Sequence, residues 1–341
     1  METITTNKTI PQTNGIEVTT CVADFFDADA LREPNYRLMR IDSKGYRYYC
    51  IQEEDGNYRF FISTTSLINA TTPTSSFLIE WMISTPNHKE YAKERADYGT
   101  MMHILFGWFM IEKSIDLSEL EDRLLEAAEL KGIDYKHYWT EDLKCDLLSF
   151  ATFIHDHNVK PLAIEVSLAS RDGYAGTLDL ICKMDVEVKG FFGELYASGP
   201  RKGEPKESKS TKRITAIVDF KSGRKSFYES NEIQLEASRR LCIENFDINP
   251  DMVFNFSPKE WRTDPDYHLK DQSDSIAKEK FRHLVEIAKI EKLMDVRSVK
   301  IFEEQLTYGE PVTDKNFRCV DLNEYLKQAR AVKEERNHVT A

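Results

Sequence analysis

Between Pro161 and Pro258 the chain reads strand, strand, strand, helix, strand. "LAIEVSLA" (162–169), "GTLDLICKMDVEVKGF" (176–191) and "RITAIVDFKSG" (213–223) are apolar, β-branched runs bounded by turn residues. "ESNEIQLEASRRLCIENF" (229–246) has helical spacing, and "DMVFNFSP" (251–258) is strand-like again. This order predicts a mixed α/β core flanked by helices.

The third strand ends in Val218-Asp219-Phe220-Lys221. Charge at the end of a buried run is costly unless it is paired or bound to a metal. Strand side chains alternate, so Asp219 and Lys221 point to one side and Phe220 to the other. In "GYAGTLDLI" (173–181) Leu178 and Leu180 are predicted to face one way, and Thr177, Asp179 and Ile181 the other. Gly176 permits a close approach by backbone or ligand. Two carboxylates on adjacent strands repel, and stay ionised where a cation lies between them. Hard oxygen ligands with open positions suit Mg²⁺ or Mn²⁺. A lysine beside them can orient or deprotonate a water, or neutralise charge on a phosphate. Together these groups describe metal-assisted phosphodiester hydrolysis. Asp-x-Lys spacing by itself says little. Glu187/Lys189 in "MDVEVKG" is a strand-like rival, but only Asp219/Lys221 leads directly into the 229–246 helix.

The flanks are simpler. Residues 1–34 read as a disordered or extended tail with no secretory h-region. Aromatic and polar residues alternate over 35–69, with a hairpin turn at 54–57. Helical spacing runs from 75 to 114 and again over 117–157, where Gly132 is a stop signal. His155 and His157 read as a solvated helix end. Region 35–160 is thus a hairpin with helices, 161–258 the core, and 259–341 a helical end with amphipathic helices over 272–297 and 321–337. The segment 199–213 ("GPRKGEPKESKSTKR") reads as a basic loop between two strands, with Arg224 and Lys225 soon after.

The 341 residues carry a net charge of −12, which argues against coating nucleic acid by bulk electrostatics but allows a local basic groove. No apolar run is long enough to span a membrane, so the expected location is the cytoplasm. Six scattered cysteines without a CxxC pair argue against a zinc ribbon, and no GxxxxGK[ST] marks an ATPase motor.

Gly176-Thr-Leu-Asp179, Val218-Asp-Phe-Lys221 and Gln234 on the next helix resemble the GxxD, (D/E)xK and QxxxY motifs of RecB-like nucleases of the PD-(D/E)XK superfamily. "YGTMMH" (98–103) is similar to their GTxxH segment. "FISTTSLI" (61–68) is similar to the PSVTTxL segment of stand-alone phage-type and mitochondrial genome maintenance exonucleases. Glu165 stands where those members carry a glutamate. The resemblance covers residues 45–245, and its motifs are specific through their order and spacing.

It implies a restriction-endonuclease-like core. His103, Asp179, Asp219 and the Phe220 carbonyl would bind one or two Mg²⁺ or Mn²⁺ ions. Glu165 would assist through water, Lys221 would place or activate the attacking water, and Gln234 would stand at the site. Ser238 replaces the motif tyrosine, which puts the helix's DNA contact in question. Without the matching cysteines, no iron–sulfur cluster is expected.

The implied function is a DNA exonuclease acting from ends, single-stranded ends among them, in recombination, repair or phage DNA metabolism. It would work beside a recombination or helicase partner, in a bacterial or phage-infected cell, and away from membranes. Helices over 75–110 and the basic segment 199–213 would frame a narrow passage for the strand end. The competing readings are a catalytically idle DNA-binding or assembly module, a non-specific endonuclease, and an RNA-directed nuclease.

Overall fold

The computed structural model describes residues 17–43, 46–223, 227–274, 276–294, 299–302, 307–313 and 315–327. It is an α/β protein built on a ten-stranded mixed sheet. The first strands are β1 (Glu17–Thr20), β2 (Phe25–Phe26), β3 (Met39–Ser43), β4 (Tyr46–Gln52) and β5 (Tyr58–Ser63). Next come helices α1 (Thr64–Thr71), α2 (Ser76–Ser84), α3 (His88–Glu112), α4 (Leu120–Lys131) and α5 (Trp139–Asp156). The long strands β6 (Lys160–Ala169), β7 (Tyr174–Leu195) and β8 (Pro205–Phe220) lead to α6 (Glu229–Phe246) and β9 (Met252–Pro258). Then follow β10 (Tyr267–Asp271) and α7 (Ala277–Ile290), with a separate hairpin of β11 (Val299–Phe302) and β12 (Phe317–Val320).

The main strand order is β1-β3-β4-β5-β7-β8-β9-β10, with β6 between β2 and β7. β5 runs parallel to β7 and β8 parallel to β9, and the other pairs are antiparallel. The parallel β8–β9 pair spans the α6 crossover, as parallel neighbours require. The turn at 54–57 joins β4 to β5, as the sequence suggests.

Helices cover both faces of the sheet. On one side α3 and α5 pack Phe106 and Phe150 against Phe220 and Phe256. The Phe106 and Phe150 rings stack at 4.0 Å, and both meet Phe220 edge-on. Edge-to-face aromatic packing of this kind adds about 0.5–1.5 kcal/mol per pair beyond burial. On the other side α1, α6 and α7 bury Leu67, Leu178, Leu241 and Phe281. Phe220 is therefore locked into one face, which leaves Asp219 and Lys221 on the other, as strand alternation demands.

The helical spacing over 75–114 forms two helices, α2 and α3, parted at Pro86 and Asn87. Three sequence expectations are corrected. "STTSLI" begins a helix, α1, whose N-cap Ser63 accepts from the Ser66 N–H at 3.1 Å. The basic segment 199–213 is a loop only up to residue 204. Its second half is the start of β8, paired with β7 from Asp185↔Arg213 out to Leu195↔Pro205. Beyond the last β6 pairing at Lys183 and the last β9 pairing at Ala216, these strands form a two-stranded ribbon. The alternation predicted for β7 also fails. Leu178 lies in the α1–α6–α7 layer and Leu180 in the α3–α5 layer. Residues 322–327 are helical, and the rest of the predicted 321–337 helix lies outside the described residues, as do Arg224 and Lys225.

Candidate metal centre and its lysine

The break in alternation on β7 has a partner on β6. Register runs Ile164↔Leu180 and Val166↔Leu178, so Glu165 stands across from Asp179. Glu165 has φ +53°, a left-handed conformation that costs an L-residue about 1–2 kcal/mol. Ile164 packs in the α3–α5 layer, while Ala163 and Val166 pack in the opposite one. This irregularity aims the Glu165 and Asp179 carboxylates at one point. Alternation read from sequence cannot show it, because it depends on one residue's φ.

Helix α3 brings His103 to the same point. Its Nδ1 is 3.2 Å from Glu165 Oε1 and 3.7 Å from Asp179 Oδ1, and its Nε2 is 3.3 Å from the Phe220 carbonyl oxygen. One turn earlier, Gly99 lets the helix close on the end of β8. A Cβ there would sit 3.3 Å from Ser222 Oγ. Gly176 has the same kind of role, since its Cβ would fall 2.9 Å from Thr64 Oγ1. The Phe220 N–H donates to Asp179 Oδ2 at 2.6 Å, which ties β7 to the end of β8.

Among the described residues, His103, Glu165 and Asp179 are the one group of three acidic, imidazole or thiol side chains whose ligand atoms lie close enough to share a metal ion, within 4.8 Å of one another. With the Phe220 carbonyl they offer one imidazole nitrogen and several oxygens. Burial pushes the Asp179 carboxyl up from the ordinary range. His103 pulls it down, Glu165 pushes it further up, and Lys221 and the Phe220 N–H oppose the rise. Burial disfavours the His103 imidazolium, yet Asp179 and Glu165 outweigh it and raise the imidazole to about 9. Both ring nitrogens face acceptors, as an imidazolium requires. Two crowded carboxylates that hold a protonated histidine between them fit a divalent cation, which would relieve the same repulsion.

Asp219 and Lys221 stand beside this group. Lys221 Nζ reaches both Asp219 oxygens, at 2.9 and 2.7 Å, and donates to Gln234 Oε1 on α6 at 3.2 Å. Burial raises the Asp219 carboxyl and Lys221 counters it. Burial disfavours the Lys221 ammonium, but Asp219 and Asp179 hold it charged above the ordinary lysine range. Lys221 is therefore a hydrogen-bond donor and a point charge here, and not a free amine.

The seven predicted positions thus converge. Glu165, expected to act through water, sits in the carboxylate–histidine group itself. Asp219, expected as a ligand, is held by Lys221 at its edge. Ser238 donates to the Gln234 carbonyl at 3.1 Å and is buried, so it presents no group to the site. The rival Glu187 is exposed on the ribbon, and the Lys189 side chain lies outside the described residues. His155 is exposed, and His157 Nδ1 meets the Asp185 carbonyl at 2.8 Å.

The sequence reading missed Asn255 and Gln272. Asn255 donates to Asp219 Oδ2 at 2.7 Å, and Gln272 donates to Asn255 Oδ1 at 3.1 Å. A signal was present: an amide in the middle of the apolar run "MVFNFS" must find a buried partner.

No protein-family model matches this chain, and comparison with curated proteins finds no match either.

Proposed function

We propose that this protein is a divalent-metal-dependent nuclease with a restriction-endonuclease-like core, hydrolysing phosphodiester bonds from DNA ends. One observation carries the reading: His103, Glu165 and Asp179 meet at one point, with the Phe220 carbonyl at the other imidazole nitrogen and a charged Lys221 beside them. His103, Glu165, Asp179 and the carbonyl, with Asp219 at the edge, would hold Mg²⁺ or Mn²⁺. Such a cation supplies Lewis acidity for a phosphoryl oxygen and lowers the pKa of a bound water. Lys221, fixed by Asp219 and Gln234, orients the attacking water or meets the phosphate's charge. Because its ammonium is held charged, it acts as a donor and not as the general base. Gln234 keeps that ammonium aimed by accepting a hydrogen bond from it.

The net charge of −12 supports action from ends, since it disfavours tight binding along duplex DNA. Affinity along duplex DNA grows with the number of phosphates neutralised, and this chain favours holding a few near the site. DNA is the proposed partner, with a helicase or recombination protein beside it, in the cytoplasm. No helix among the described residues is long and apolar enough to cross a membrane.

The test uses purified protein with Mn²⁺ or Mg²⁺, and with chelator. Substrates are a covalently closed circle and its linear form, single- and double-stranded, with an RNA of the same sequence. Metal-dependent degradation of linear DNA with the circle intact is expected. Equal cutting of circle and line would replace the exonuclease reading with a non-specific endonuclease. Absence of cleavage with DNA binding retained would leave an idle module.

A further inference from the structure

We infer that Asn255 and Gln272 form a directional amide relay that sets the orientation of Asp219, making Asn255 a positioning residue for the site. Asn255 lies on β9 in parallel register with Asp219 and is fully buried. Its neighbours Val253, Phe254 and Phe256 are buried and apolar. Gln272 follows β10, is also buried, and is pinned by its own N–H to the Val253 carbonyl at 2.9 Å. Burying two amides in an apolar layer brings little net stability, and a well-shaped apolar pair would serve as well. Their chemistry points to another role.

The direction of the relay is fixed from one end. Asn255 turns its NH₂ toward Asp219 Oδ2, to which it donates at 2.7 Å, and an ionised carboxylate offers acceptors alone. The Asn255 carbonyl then faces Gln272, which must present its own NH₂. Asp219 Oδ2 is thereby held by Asn255 and Lys221, while among the described residues Oδ1 takes only the Lys221 side-chain hydrogen bond. That leaves Oδ1 with acceptor capacity to offer the site. A glutamate at 272 cannot donate when ionised. It would draw the Asn255 NH₂ to itself and swing the Asn255 oxygen against Asp219. A leucine at 272 removes one partner but leaves Asn255 free to keep its direction.

The link to cation binding rests on the proposed metal site, while the relay itself does not. The experiment therefore has two arms on the full chain. In metal-free protein, the NMR coupling across the hydrogen bond from the Asn255 side-chain NH₂ to the Asp219 carboxylate carbon is followed in wild type, Gln272→Glu and Gln272→Leu. It is expected in wild type and Gln272→Leu, and absent in Gln272→Glu. Mn²⁺ titration by calorimetry on the same proteins should give a loss of about 10–100-fold for Gln272→Glu, the usual effect of disturbing a group behind a ligand, and under threefold for Gln272→Leu. Asn255→Leu, close in shape, should show the larger loss and serves if Gln272→Glu does not fold. A coupling to Asp219 retained in Gln272→Glu overturns the relay, as does Gln272→Leu proving the more damaging change or Asn255→Leu binding Mn²⁺ like wild type. If wild type binds no Mn²⁺, the metal reading fails and the coupling arm alone decides the relay.

Discussion

The two halves of the site handle charge in opposite ways. On the β6–α3 side, two carboxylates and a histidine crowd together, balanced by a proton on His103 with help from Lys221 and the Phe220 N–H. On the β8–α6 side, Lys221 neutralises Asp219, and Gln234 and Asn255 complete the hydrogen bonding. In the proposed reading the first half takes a further positive charge from a bound cation, while the second carries its own in Lys221. Removing a side chain should therefore have different consequences on the two sides.

The largest effect is expected from a pair of substitutions. Asp179→Ala should abolish both cleavage and Mn²⁺ binding by calorimetry. Lys221→Ala should abolish cleavage while Mn²⁺ binding persists, because an ammonium does not ligate a cation. If Lys221→Ala also loses the metal, the two halves are one electrostatic unit and the contrast fails.

Next comes the pH dependence of Mn²⁺ affinity. His103 holds a proton up to about 9, and a cation must displace it to use the imidazole. Between pH 6.5 and 9 the affinity should rise, at most roughly tenfold per pH unit for one displaced proton. Calorimetry in buffers of different ionisation enthalpy should count that proton. His103→Gln should flatten the rise, and a flat profile in wild type would mean that His103 does not ligate.

The same histidine gives a smaller effect on stability. Its pKa is raised in the folded protein, so its contribution is fully present below the unfolded value near 6.5 and is lost as pH rises through about 9. A tenfold change in proton affinity is about 1.4 kcal/mol. The side chain keeps 27% of its surface in solvent, so the total is at most about 3 kcal/mol. Metal-free thermal unfolding of wild type should fall across that window, while His103→Gln stays level. A large drop for His103→Gln at every pH would mark His103 as a packing residue instead.

What was legible in sequence follows a physical divide. The Asp219–Phe220–Lys221 alternation and the helix carrying Gln234 are local and periodic, and the structure keeps both. The GTxxH and GxxD glycines could be flagged as close approaches, though what approaches, Ser222 and Thr64, needed the fold. The Asn255–Asp219 contact was hidden because parallel pairing joins residues 36 positions apart. The 199–213 segment misled through composition. Its glycine, proline and lysine content reads as loop, yet much of it pairs in register with β7. Leu180 misled because regular alternation was carried through an irregular point.

That irregular point gives the smallest prediction, and it tests the β6–α3 half most directly. Glu165 sits at φ +53° inside a strand, a backbone conformation that favours glycine. At an ordinary strand position, alanine is more stabilising than glycine by roughly 0.5–1 kcal/mol, because glycine loses more freedom on folding. In the left-handed region the steric cost of a Cβ, about 1–2 kcal/mol, reverses that order. Both substitutions remove the carboxylate and its repulsion of Asp179, so their difference isolates the backbone. Glu165→Gly should exceed Glu165→Ala by about 1 kcal/mol in metal-free denaturant unfolding, and both should bind Mn²⁺ more weakly than wild type. If alanine is the more stable of the two, β6 runs as a regular strand through Glu165. The meeting of Glu165 with Asp179 and His103 would then need another cause.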